Sequence, residues 1–107
     1  MYKVKKKIPL AYFAYNRPEH TERSLTSLSK CNSKDLYDFY FFSDASYDES
    51  NKLKVEEVRR ILRSKAKYFS ASLVERPNNL GLSKSIVSGV SGLTETYGKV
   101  VVLEDDL

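Results

Sequence analysis

The chain has 107 residues, 41% apolar and 30% charged, which supports one compact domain or a piece of a larger one and excludes intrinsic disorder. One cysteine, Cys31, excludes an internal disulfide and suits a reducing compartment, and no apolar run approaches a membrane span or the core of a signal peptide. The net charge of +4 is concentrated in Lys3, Lys5, Lys6 and Lys7, which reads as a solvated lead-in to the first strand; no zinc spacing or Arg-rich stripe promotes nucleic-acid binding. A cytoplasmic protein, or one peripheral at the inner membrane face, is the expectation.

In chain order, Ile8 to Tyr15 reads as a first strand rich in aromatics. Asn16-Arg17-Pro18 then opens a helix running to about Lys30, since Pro suits a first turn where its missing N–H has no intrahelical partner. Phe39 to Ser43 is a short apolar strand ending in Asp44. Asp48 to about Lys65 is a helix with Val55, Val58, Ile61 and Leu62 on one face and Asp48 and Glu49 at its start. Tyr68 to Val74 reads as a third strand. Leu82, Ile86, Val90, Leu93 and Tyr97 mark a third helix, which Gly98 stops. Val100 to Leu103 is the fourth strand, and its β-branched run argues for a central place with both faces covered.

This alternation predicts an α/β fold: a Rossmann-like three-layer α/β/α arrangement around a mainly parallel four-stranded sheet, with right-handed crossovers. In such sheets ligands sit outside the carboxyl ends of the strands. All four ends here are polar. They carry Tyr15-Asn16-Arg17, Asp44, the segment Arg76 to Leu82, and Glu104-Asp105-Asp106.

Each member of this edge has a plain structural reading beside the functional one. Asp44 could accept from a nucleobase N–H or a ribose hydroxyl, but Asp-Ala-Ser-Tyr-Asp is also ordinary turn chemistry. Asn79 and Gly81 precede a helix whose start favours an anion, while the alternative is a capped loop. Lys84 and Arg76 flank that loop and could meet a diphosphate, or simply face solvent. Tyr15 could stack on a base or belong to the core. His20 and Cys31 read as surface and structural residues. The acidic triplet is the sharpest signal. Three carboxyl groups at one strand end are best tolerated around a divalent cation, and oxygen ligands select Mg²⁺ or Mn²⁺. Strand alternation would turn Glu104 and Asp106 one way and Asp105 the other.

Pro9 to Pro18, Phe42-Ser43-Asp44, Asn79-Leu80-Gly81-Leu82 and Val102 to Leu107 together resemble, in the right order, the N-terminal half of a nucleotide-sugar glycosyltransferase. The resemblance is to the GT-A fold, with family 2-like bacterial enzymes the nearest match, and the Glu-Asp-Asp-Leu ending also resembles the N-acetylglucosaminyltransferase I group. It implies that Tyr15, Asn16 and Arg17 lie beside the nucleotide and that Asp44 contacts the base, usually uracil. Asn79 and Gly81 would help hold the nucleotide sugar, and Lys84, flanking them, is counted with that site on its charge. Glu104-Asp105-Asp106 would stand as the Asp-x-Asp motif, with Glu104 and Asp105 near the donor and Asp106 on the Mn²⁺ or Mg²⁺ that bridges the diphosphate. The partners implied are a nucleoside-diphosphate sugar, a UDP-sugar first, and a saccharide or lipid-linked acceptor in surface polysaccharide synthesis, with no nucleic acid.

Members of that family continue past the acidic motif into a half that supplies the general base. Residues 1–107 therefore read as the donor-binding half, truncated after the triplet, inactive alone and holding no catalytic residue. The fourth strand would then be an open apolar edge, so a homodimer through residues 100–107 is expected. Two readings of other classes stand beside this one: a non-catalytic α/β module with an acidic metal site, and a nucleic-acid binder using Lys3 to Lys7. A receiver-like module would carry acidic residues after its first strand, where Tyr15-Asn16-Arg17 stands instead.

Overall fold

Alternating side chains on two central strands give this chain two apolar faces, and helices cover both. The computed structural model describes residues 7–31 and 34–105. Its elements are β1 (Ile8–Ala14), α1 (Pro18–Ser29), β2 (Tyr37–Ser43), α2 (Lys52–Phe69), β3 (Ser72–Glu75), α3 (Leu82–Tyr97) and β4 (Val101–Glu104). The sheet is wholly parallel, in the order β3-β2-β1-β4. On one face Leu10, Tyr12 and Ala14 of β1 and Phe39 and Phe41 of β2 meet Leu25 of α1 and Val58, Leu62 and Phe69 of α2. On the other, Ala11, Phe13 and Phe42 meet Leu93 of α3. This is the three-layer α/β/α arrangement expected from the alternation.

The two faces are packed differently. Tyr12 and Phe41 meet edge to face at 5.7 Å, and the buried Tyr12 hydroxyl shares a 2.6 Å hydrogen bond with Ser24 of α1. On the α3 side Phe13 and Phe42 are stacked, with centroids 4.8 Å apart. Gly89 lets α3 settle onto that pair, because a Cβ there would come within 3.0 Å of Phe13 and 3.1 Å of Phe42.

Three expectations need correction. Tyr68 and Phe69 are not strand: α2 runs on to Phe69 and ends at Ser70, whose φ is +53°. The helical spacing of Leu62, Ala66 and Phe69 carries Phe69 into the core, where it touches Phe39 and Phe41. The second helix does not begin at Asp48. A single 3₁₀ turn, Glu49–Asn51, comes first, with the Asp48 carboxylate accepting from the Asn51 amide. Among the described residues β4 is not central: it lies at the sheet edge, the open edge expected of the donor-binding half, with Val102 40% exposed, while β1 is buried almost throughout. A β-branched run reports strand propensity; its position in the sheet depends on which elements pack against it.

Candidate functional site

All four strand ends converge on one cavity of about 330 Å³. Its lining includes Tyr15, Asn16 and Arg17 after β1, Asp44 and Tyr47 after β2, Asn79 and Gly81 before α3, and Glu104 and Asp105 at the end of β4. Every site residue expected from the sequence lies there except Lys84, which is exposed on the first turn of α3 outside the lining, and Asp106, which is outside the described residues. Arg76 also stays out of the cavity; its guanidinium lies over the Phe42 ring at 5.4 Å, with a buried Nε that lacks a partner. Of the basic lead-in, only Lys7 is described, and it is exposed.

Asp44 is the most heavily engaged group. Its side chain is buried, and its Oδ1 accepts from the backbone N–H groups of Ala45 and Leu80, both at 2.9 Å. Its Oδ2 accepts from the Gly81 N–H at 3.0 Å and from Asn79 Nδ2 at 3.3 Å. Asn79 Nδ2 also donates to the Ala45 carbonyl at 2.7 Å. One carboxylate thus ties the end of β2 to the turn that starts α3. Gly81 makes that turn with φ +83° and ψ 157°, a conformation that costs a side-chain-bearing residue about 1–3 kcal/mol. No added Cβ would collide there, so the requirement for glycine comes from the backbone.

Arg59, at mid-helix in α2, secures the same ends from behind. Its Nε donates to Ser43 Oγ at 3.0 Å, and its Nη2 donates to the carbonyls of Ser43 at 3.3 Å and Arg76 at 2.7 Å. β2 and β3 are held in register just before they open into the site.

The other wall is built by an ion pair. Arg17, half-exposed at the start of α1, donates to Asp105 Oδ1, whose side chain is buried. Alternation would have turned Asp105 away from Glu104, but the strand ends at Glu104 and Asp105 lies in the following turn, so both face the cavity. Burial, with the Asp105 charge adding to it, pushes the nearby Tyr12 phenol up to about 12 despite its hydrogen bond to Ser24. Two cross-links join the walls: Asn16 Nδ2 donates to Asn51 Oδ1 at 2.7 Å, and the Tyr47 N–H donates to the Tyr15 hydroxyl at 2.8 Å. The Tyr47 ring itself is 78% exposed at the mouth.

Three carboxylates and one guanidinium leave the lining net negative at neutral pH. Asp44 is compensated by four donors and Asp105 by Arg17. The Glu104 carboxylate has no hydrogen-bond or ion-pair partner among the described residues. Those residues hold no cluster of three carboxylate, histidine or cysteine side chains that could cage a metal alone. Mg²⁺ seldom needs such a cage, being commonly held by one or two carboxylates together with substrate phosphates. Glu104 fits that limited role.

Sequence reasoning missed Tyr47 and Ser85. Tyr47 belongs to a stretch that reads as turn chemistry, and its place at the mouth depends on a contact with Tyr15, 32 residues earlier. Ser85, buried against the cavity in the first turn of α3, carries no marker beyond its closeness to Gly81. No protein-family model matches this chain, and no curated protein matches it. Among the described residues no helix is long and apolar enough to cross a membrane.

Proposed function

We propose that this cavity binds the donor of a glycosyl transfer, a nucleoside-diphosphate sugar, with a UDP-sugar as the first choice. The observation that supports it best is the meeting of the strand-end segments in one cavity lined by aromatic and acidic side chains. Tyr15 and Tyr47 offer aromatic surface for a base, and Asn16 offers an amide oxygen. Arg17 keeps guanidinium donors for an anion beside the one that holds Asp105.

A diphosphate entering a net-negative lining needs a cation with it, and Glu104, with Asp106 beyond the described residues, would hold Mn²⁺ or Mg²⁺. Such an ion, when bound, would supply charge neutralisation of the departing nucleoside diphosphate. In the reaction an acceptor hydroxyl attacks the sugar's anomeric carbon, the bond from that carbon to the diphosphate oxygen breaks, and its electron pair leaves with the diphosphate. Arg17 would steady that developing charge. No described residue is assigned to the acceptor's proton. Surface polysaccharide synthesis, with a saccharide or lipid-linked acceptor, is the setting the sequence resemblance suggests.

Titration of the ¹⁵N-labelled chain with UDP, with and without Mg²⁺, tests this reading. Metal-dependent shifts at Asn16, Gly81 and Glu104 are expected, with affinity about tenfold weaker in Glu104→Gln and in Asp106→Ala, a difference of about 1.4 kcal/mol. Metal binding with no response to UDP would instead favour a non-catalytic α/β module with an acidic metal site. Salt-dependent, metal-independent retention on DNA would favour a nucleic-acid binder.

A further inference from the structure

A carboxylate offers about four lone-pair positions. At Asp44 the chain itself fills them, with the N–H groups of Ala45, Leu80 and Gly81 and the side chain of Asn79. A base N–H could reach this carboxylate only by displacing one of those donors. The displaced group would be a polar donor without a partner in a largely buried setting, which is unfavourable. Asp44 also lies against the N–H of Gly81, the residue that caps α3. The positive end of a helix favours an anion within its first turn, and here the anion is part of the chain. The carboxylate is 6% exposed, so little of it is presented to a ligand.

We infer that Asp44 is a positioning residue, which holds the Asn79–Gly81 turn and the start of α3 in place beside the ligand and does not read the base. The inference rests on the nucleotide reading above for its ligand, but the hold itself is a property of the chain alone. It assigns base selectivity to groups other than Asp44 and diphosphate recognition to the Arg17 and Glu104 side of the cavity.

UDP and CDP provide the test, because uracil presents an N3–H donor where cytosine presents an acceptor. With Mg²⁺ present, Asp44→Asn should weaken both nucleotides by the same factor and leave their affinity ratio within about twofold of wild type. In the ligand-free variant the amides of Leu80 and Gly81 should lose the hydrogen-exchange protection they have in wild type. A fall of about tenfold or more in the UDP-to-CDP affinity ratio would overturn the inference. Should Asp44→Asn fail to fold, exchange in the wild type with and without UDP decides. Protection of Leu80 and Gly81 kept in both supports the positioning role, and protection lost on adding UDP means that the carboxylate has turned to the base. If wild type binds neither nucleotide, the nucleotide-sugar reading fails while the role of Asp44 remains open to measurement: protected amides in wild type support it, and freely exchanging ones sink it.

Discussion

Tyr12 shows how one phenol couples the core to the site. Its hydroxyl is buried against Ser24, and burial holds the proton on up to about pH 12. An unfolded tyrosine loses its proton near pH 10. Below that value both states are protonated and this group adds no pH dependence to stability. Above it the unfolded state binds fewer protons than the folded state, so stability falls as pH rises from about 10 toward 12. Absorbance titration of phenolate should show Tyr12 ionising after the exposed tyrosines, joined by Tyr97, whose hydrogen bond to Tyr40 also raises it. Tyr12→Phe should remove its share of this late component and leave that of Tyr97, reduce the alkaline decline and cost about 1 kcal/mol at neutral pH for the lost hydrogen bond. Chemical denaturation at pH 7 and pH 11 checks both. At this scale the sequence was readable wherever a residue's partner lay close by in the chain. Asp48 capping a turn is such a case. The use of three of the four acceptor positions on Asp44 by a turn more than 30 residues later is not, because no local pattern records a long-range contact.

Among the elements, α3 and its seat on the sheet set the shape of the site. The stacked Phe13–Phe42 pair lies under Gly89, and both rings are nearly fully buried, with little room to move aside. Gly89→Ala gains about 1 kcal/mol of helix propensity and incurs about 1–3 kcal/mol of overpacking. The expected balance is a net loss of about 1 kcal/mol, read from the urea midpoint, with α3 displaced and ligand binding at Gly81 weakened. Element type was legible because periods of 3.6 and 2 are strong local signals: four strands, three helices and their order follow from them. Boundaries were harder. Aromatic Tyr68-Phe69 suits a strand by composition, yet Phe69 falls in helical register with Leu62 and Ala66, and the core takes it in that form. The strand-end rule found most of the cavity lining, because parallel topology alone brings those ends together. Strand alternation, a separate rule, turned Asp105 away from Glu104, and it fails there because alternation stops where the strand does.

For the whole molecule, the sheet has two open sides, and β4 is the more apolar. Val102 is 40% exposed on it, and no strand lies beyond it among the described residues. Unpaired strand edges recruit other chains. Association between copies through β4 is therefore expected, visible as a sedimentation coefficient that rises with protein concentration and is restored to the monomer value by Val102→Lys. A concentration-independent monomer would remove this expectation. The clasp made by Arg59 has a different consequence. Because one guanidinium grips oxygens of both Ser43 and Arg76, and Asp44 grips the turn beyond, the β2–β3 side of the cavity acts as a fixed jaw. Opposite it, β1 is laddered to β2 and β4, and only beyond the strand ends does that wall rest on one half-exposed ion pair, Arg17 with Asp105, and two links to the β2 side. Hydrogen exchange should therefore be uneven around the mouth, with the amides of Arg17 and Asp105 opening before those of Leu80 and Gly81.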